Sequence, residues 1–170
     1  ERKSGHGYRG FKVNSDPSVT IEEDLFRRDT TINAIAIDLI SGLRIDPFGG
    51  TEDIINGVIR AVSAHFVEDP VRALRAARQA AQFDFKITED TVDLMAKCAP
   101  ELELEPSERL LNELVLALQV KRPSIFFRSL EHAGLLKVTF PEIRQMIGKT
   151  QPLDFHPEGD AFEHTMNLLD

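Results

Sequence analysis

The stretch from Val71 to Gln82, VRALRAARQAAQ, constrains the fold more than any other part of the chain. Asp69 and Pro70 stand directly ahead of it. Asp69 can cap a helix, and proline suits the first helical position. Leu74, Ala77 and Ala81 mark one apolar face, and Ala73, Ala76 and Ala80 a narrow neighbouring one. Arg72, Arg75 and Arg78 form a ridge at intervals of three. Arginines on a solvated helix face usually alternate with acids four residues away. No acid occurs between Val71 and Gln82, so the ridge is expected to meet an anion such as a polyphosphate or an RNA backbone.

An anion site matters because the chain as a whole is acidic. Its 170 residues carry a formal net charge of -8, with 42% hydrophobic and 28% charged residues. This excludes a protein that coats nucleic acid through bulk charge, but not one that grips it through a local basic patch. Cys98 is the only cysteine, so no intrachain disulfide forms, and a reducing, cytoplasmic home is expected. No apolar run approaches the ~20 residues of a membrane span, and no secretory signal is present. Residue 1 is Glu, and HTMNLLD ends within an apolar helical pattern, so the sequence reads as an internal piece of a longer protein.

Along the chain, ERKSGHGYRGFKVNSDPS reads as a mobile loop leading into a short strand. Thr20 and Glu23 form a capping box that starts a helix running to about Arg28. INAIAIDLI and LRIDPF flank Ser41 and Gly42, which predicts a hairpin. A short helix is expected across TEDIINGV, and VIRAVS reads as the last strand. Helices follow from Asp69, from Thr88 to about Cys98, from Ser107 to about Val120, and across PSIFFRSLEHAG with Gly134 as C-cap. Asp160 and Glu163 form a capping box for a final helix. The boundary between the α/β part and the helical part is placed near residues 63 to 68.

Several clusters carry candidate chemistry. RRDTTINA puts Arg27, Arg28 and Asp29 at a helix end. They either complement its partial negative charge or act on a ligand. In the second case the arginines meet phosphate, and Asp29 and Asn33 bond a sugar hydroxyl. DPFGG is a turn whose glycines would also admit a ligand close to the backbone. In HPEGDAFEHT, His156 and His164 with the carboxylates of Asp160 and Glu163 either sit at a solvated helix start or ligate a metal.

Together these motifs resemble the class II nucleotidyltransferases, the bacterial tRNA CCA-adding enzymes and their poly(A) polymerase relatives. RRDTTINA looks like the sugar and phosphate motif, and DPFGG with Asp53 like the next motif. EDPVRALRAAR looks like the nucleotide-selecting motif, and ERLLNELVLAL like the helix that supports it. HPEGDAFEHT is similar to the opening of an HD-type phosphohydrolase domain. The resemblance implies an α+β chain in three parts. Residues 1–63 are the C-terminal part of a polymerase-β-like nucleotidyltransferase head. Residues 64–150 are an all-helical neck and body that selects nucleotides and binds RNA, and residues 151–170 begin the HD-type helical domain.

The same resemblance implies the residue roles. Arg28, Arg75 and Arg78 contact the incoming nucleotide, Asp29 and Asn33 its sugar, and Asp69 and Arg72 its base. His164 is a metal ligand of the HD-type site, which would hold a second divalent ion. The aspartate pair that binds catalytic Mg2+ is expected upstream of residue 1, so this chain alone is expected to be inactive. The partners implied are CTP, ATP and the tRNA 3′ end. Arg2, Lys3 and Arg9 lie in what looks like the family's flexible loop, a likeness that favours CCA addition over poly(A) addition and implies that the loop moves when selection passes from C to A. Poly(A) addition and a non-catalytic nucleotide- or RNA-binding module are the alternatives.

Overall fold

The computed structural model describes residues 18–152, 154 and 156–170, together with the backbone of Arg2–Lys3 and Phe11–Lys12. Those two segments, β1 and β2, pair antiparallel. The side chains of Arg2 and Lys3, and the whole of Arg9, lie outside the described residues.

Helix α1 (Ile21–Phe26) begins at the Thr20 capping box: Glu23 N–H donates to Thr20 Oγ1, and Thr20 N–H to Glu23 Oε2. The chain passes through a 3-10 turn at Thr31–Asn33 into the hairpin of β3 (Ala36–Ile37) and β4 (Arg44–Ile45). Its turn is closed by Asp38, whose Oδ1 accepts the N–H groups of Ile40 and Ser41. Helix α2 (Gly50–Asn56) starts where Asp46 accepts from the N–H groups of Gly50 and Thr51. Of the two glycines in DPFGG, Gly50 serves packing rather than a ligand. A Cβ there would stand 2.2 Å from the Thr31 carbonyl oxygen.

The helical part is organised around α3 (Val71–Phe83), which packs against α6 (Ser107–Ala117) and α7 (Ser124–His132). Ala73, Ala76, Ala77, Ala80 and Ala81 are all buried, and small side chains let neighbouring helices come close. Leu74, Phe66, Met95, Phe126, Leu130 and Leu135 fill the space between the elements. The side helices are α4 (Glu89–Lys97), α5 (Ala99–Leu102), α8 (Leu136–Thr139), α9 (Pro141–Arg144) and α10 (Ala161–Leu169). Cys98 is buried, with its thiol on the Leu94 carbonyl. Asp160 caps α10 by accepting from Phe162 and Glu163, but Glu163 turns outward to Arg128 and leaves the predicted box half made.

The strand in VIRAVS is not the last. β5 (Val58–Ile59) pairs in parallel with β6 (Lys86–Ile87), which follows α3. A two-residue strand has no alternation to read, so β6 left no signal in the sequence. The pair stitches together residues on either side of 63–68. So does the bond from Ala61 N–H to Thr91 Oγ1.

Candidate nucleotide-binding site

The RRDTTIN segment is pinned from beneath. Thr31 N–H donates to the Arg60 carbonyl, Thr30 Oγ1 to Gln79 Oε1 of α3 at 2.9 Å, and Thr31 Oγ1 to Asp53 Oδ2 of α2 at 2.6 Å. Both threonines are buried, so these bonds set the height and direction of the residues just before them. Arg27, Arg28, Asp29 and Asn33 are thereby held opposite Arg72 and Arg75 of α3. The six residues line one polar concavity of about 340 Å³. Four guanidinium groups face one carboxylate there, so the hollow favours an anion.

Asp29 is the buried centre of this site, 4% exposed. Its Oδ1 accepts the Thr30 N–H at 2.8 Å and the Asn33 amide at 3.1 Å. Its Oδ2 has Arg75 3.0 Å away but, among the described residues, accepts no hydrogen bond, because the guanidinium N–H groups point off line. A buried carboxylate oxygen in that state is ready to accept from a hydroxyl. Asn33 is fixed by Asp29, and Arg28 leans back on Asp24 at 2.8 Å.

The mouth of the hollow is tied to the start of α3 by Glu68, which pairs with Arg27 and with His65 Nδ1. Burial alone would push the Glu68 carboxyl up. The His65 hydrogen bond and the Arg27 and Arg72 charges outweigh it and hold Glu68 below the usual carboxylate range. Arg72 donates to the His65 carbonyl at 2.6 Å. Burial pulls its guanidinium below the ordinary arginine value, against the raising influence of Asp69, Asp29 and Glu68.

Two of the expected site residues stand elsewhere. Arg78 is not in the lining. Its Nε pairs with Glu113 of α6 at 2.7 Å, and its Nη1 donates to Gln82. The arginine ridge is therefore not left unpaired within the chain, because its acids come from other elements: Asp29 for Arg75 and Glu113 for Arg78. A search for acids along α3 alone misses them. Asp69 also lies outside the lining. Its Oδ1 accepts the Val71 N–H at 3.2 Å, so the expected capping role is present. Arg109 Nη2 reaches both carboxylate oxygens, at 3.0 and 2.9 Å. Arg109 is held in turn by Glu105, whose side chain is 0% exposed. Sequence reasoning singled out neither Arg109 nor Glu105. The spacing of four between them was the only local signal.

The last cluster brings together His156, Glu158 and His164, whose ligand-type atoms lie within 4.8 Å of one another. Asp160 and Glu163, the carboxylates the sequence put forward, are engaged as the α10 cap and with Arg128. Glu158 takes their place.

Comparison with known proteins agrees along the whole chain. Residues 3–60 match the family described as the poly A polymerase head domain, and residues 84–147 the one described as the probable RNA and SrmB-binding site of polymerase A. The multifunctional CCA protein of Nitrosococcus oceani is 48% identical over 172 residues, covering 100% of this chain and 42% of the relative. That of Stenotrophomonas maltophilia is 50% identical over 175 residues, covering 100% and 43%. The chain thus spans less than half the length of these relatives. Among solved structures, a CCA-adding enzyme with ATP superposes with a TM-score of 0.66 at 42% identity, covering 72% of this chain and 30% of that one. The Thermotoga maritima CCA-adding enzyme complexed with tRNA superposes at 0.66 with 43% identity, covering 72% and 31%. On these likenesses the chain belongs to the class II nucleotidyltransferase family of CCA-adding enzymes and poly(A) polymerases.

Proposed function

We propose that this chain is the nucleotide-selecting part of a cytoplasmic, template-independent enzyme that adds C and A from CTP and ATP to tRNA 3′ ends. The observation that carries the reading is the hollow in which four arginines face Asp29, with Asp29 Oδ2 open to a hydroxyl donor. A nucleoside triphosphate offers that combination of polyanion and sugar hydroxyl. Relatives named for CCA addition, and similar structures complexed with ATP and tRNA, support this substrate over a poly(A) product.

In this reading Arg28 and Arg75 hold phosphate, and Asp29 and Asn33 orient the sugar. Arg78 acts on the nucleotide through its place on α3, where Glu113 fixes it. Asp69 and Arg72 read the base. Cytosine and adenine both present an exocyclic amine beside an unprotonated ring nitrogen. A carboxylate accepts from the first, and a guanidinium donates to the second. Uracil and guanine reverse the pattern and would strand buried polar groups. Arg109 and the Val71 N–H take both hydrogen-bonding directions of Asp69 Oδ1, and Arg109 takes one of Oδ2, so the remaining direction of Oδ2 is aimed at the base.

The family uses divalent ions, generally Mg2+, to compensate triphosphate charge. The hollow does not fit that ion: Asp29 carries Arg75, Asp24 carries Arg28 and Glu68 carries Arg27. Its ligands are therefore assigned outside this chain, which by itself is expected to transfer nothing. The domain division at residues 63 and 150 belongs to the same reading. So does a start of an HD-type domain near residue 151, with His164 as a ligand to a second divalent ion.

The test is to offer each NTP separately to the full-length protein and tRNA lacking its 3′ end. Stepwise incorporation of C and A without U or G is expected. Long runs of A would shift the assignment to poly(A) polymerase, and no transfer from any NTP would overturn it.

A further inference from the structure

Gln79 stands where packing alone would call for an apolar side chain. Helical spacing puts it on the same face of α3 as Arg72 and Arg75. The two arginines line the hollow, whereas Gln79 is 3% exposed. Glutamine is seldom fully buried, because its amide gives up water that only a hydrogen bond replaces. Here Oε1 accepts the hydroxyl of Thr30, itself 0% exposed, at 2.9 Å. Valine has the outline of threonine, and methionine roughly that of glutamine, so an apolar pair would fill the same space without polar cost. What the polar pair adds is direction.

That direction reaches Asp29. Thr30 N–H donates to Asp29 Oδ1 at 2.8 Å, so the carboxylate follows the Thr30 peptide. Backbone bonds from Thr31 to Arg60 and from Val62 to Asp29 tie the segment to the residues after β5. Gln79 ties it instead to α3, the helix that carries Arg72 and Arg75. α3 thus meets the segment at two points one turn apart, Arg75 beside Asp29 Oδ2 at 3.0 Å and Gln79 on Thr30. Arg75 is a loose guide, with a side chain 40% exposed and its N–H groups off line. Arg78 turns away to Glu113, which leaves Gln79 as the buried point of the pair.

We propose that Gln79 is a positioning residue for sugar selection. Through Thr30 it holds Asp29 Oδ2 where a ribose hydroxyl of the incoming nucleotide is bonded, so that an analogue lacking that hydroxyl is rejected. A shift of about 1 Å at Asp29 is enough to lose such a bond. The inference rests on the nucleotide reading of the hollow and adds a residue outside its lining. Base reading is a separate matter, because Asp69 belongs to the Arg109 and Glu105 network rather than to this pair.

The experiment measures kcat/KM of the full-length protein on tRNA lacking its 3′ end, with CTP, UTP and the 2′-deoxy and 3′-deoxy forms of CTP. The proteins are the wild type, Gln79→Met, Thr30→Val and the double variant, each with a melting curve. The wild type should favour CTP over at least one deoxy form by about a hundredfold or more, as a site built around a substrate hydroxyl does. Each single variant should cut that ratio by about tenfold and keep the preference for CTP over UTP. Each also strands a buried polar group and lowers Tm, whereas the double variant strands none and recovers it. The ratio should stay low in the double variant all the same, which a merely structural pair would not produce. A ratio that returns with Tm, that keeps its wild-type value in Gln79→Met, or that falls in step with the preference for CTP over UTP overturns the proposal and leaves the nucleotide reading standing. So does a double variant that does not fold, since the pair is then a requirement of the core. If the wild type accepts both deoxy forms as readily as CTP, or transfers no nucleotide, the sugar role of Asp29 fails and the proposal fails with it.

Discussion

Truncating Arg109 to alanine should cost about 3 kcal/mol of stability, and the structure says where that comes from. The change removes the two bonds from Nη2 to Asp69 and the 2.7 Å bond from Nη1 to Glu105. Breaking a buried pair typically costs about 3–5 kcal/mol because a charge is left uncompensated. Glu105 meets that condition in full, with a side chain 0% exposed, whereas Arg109 itself is 24% exposed and partly screened. The lower end of the range follows. Removing the stranded charge should restore part of the loss, so Glu105→Gln in the Arg109→Ala background should recover about 1 kcal/mol or more. The assay is urea unfolding of the wild type, both single variants and the double variant. A loss under about 1 kcal/mol, with additive single and double effects, would refute the argument that Arg109 is the anchor between Glu105 and Asp69.

Three further outcomes are expected. Gly50→Ala should destabilise by about 1–3 kcal/mol in thermal unfolding, because its Cβ would meet the Thr31 backbone rather than a movable side chain. The folded Glu68 carboxyl is held below the ordinary glutamate value of 4.5, so its stabilisation is fully present above that pH and is lost as the pH falls through the folded value. The Tm difference between wild type and Glu68→Gln should therefore shrink below pH 4.5, and a constant difference would count against the clasp. Arg75→Ala should weaken CTP and ATP alike by roughly tenfold to a hundredfold in equilibrium binding, the equivalent of about 1.5–3 kcal/mol for a charge-assisted bond. A loss confined to one nucleotide would contradict a phosphate role.

Local signals in the sequence carried the parts of the fold that depend on neighbouring residues. The Thr20–Glu23 box, the hairpin around Ser41–Gly42, the Asp46 turn and the long helix after Pro70 all appear where their spacing puts them. What escaped depends on partners distant in sequence. Glu113 lies 35 residues from Arg78 and Arg109 lies 40 from Asp69, so no periodicity along α3 reveals either. The short α5, α8 and α9 helices and the two-residue β6 lack enough turns or alternation to announce themselves. For the candidate site, residue types and order named Arg28, Asp29, Asn33, Arg72 and Arg75, which the fold brings to one hollow. The supports beneath it, Gln79 and Asp53 on buried threonines, are visible only in three dimensions.

The most direct measurement of the central claim is kcat/KM for all four NTPs with tRNA lacking its 3′ end, in the full-length wild type and in Asp69→Ala. A melting curve of each protein accompanies it. If Asp69 reads the base, the folded variant admits UTP or GTP while retaining transfer. The cost of about 1 kcal/mol from the lost cap at Val71, together with that of the lost Arg109 bonds, then shows only as a lower melting temperature. A folded Asp69→Ala protein with unchanged preference for C and A would contradict the account.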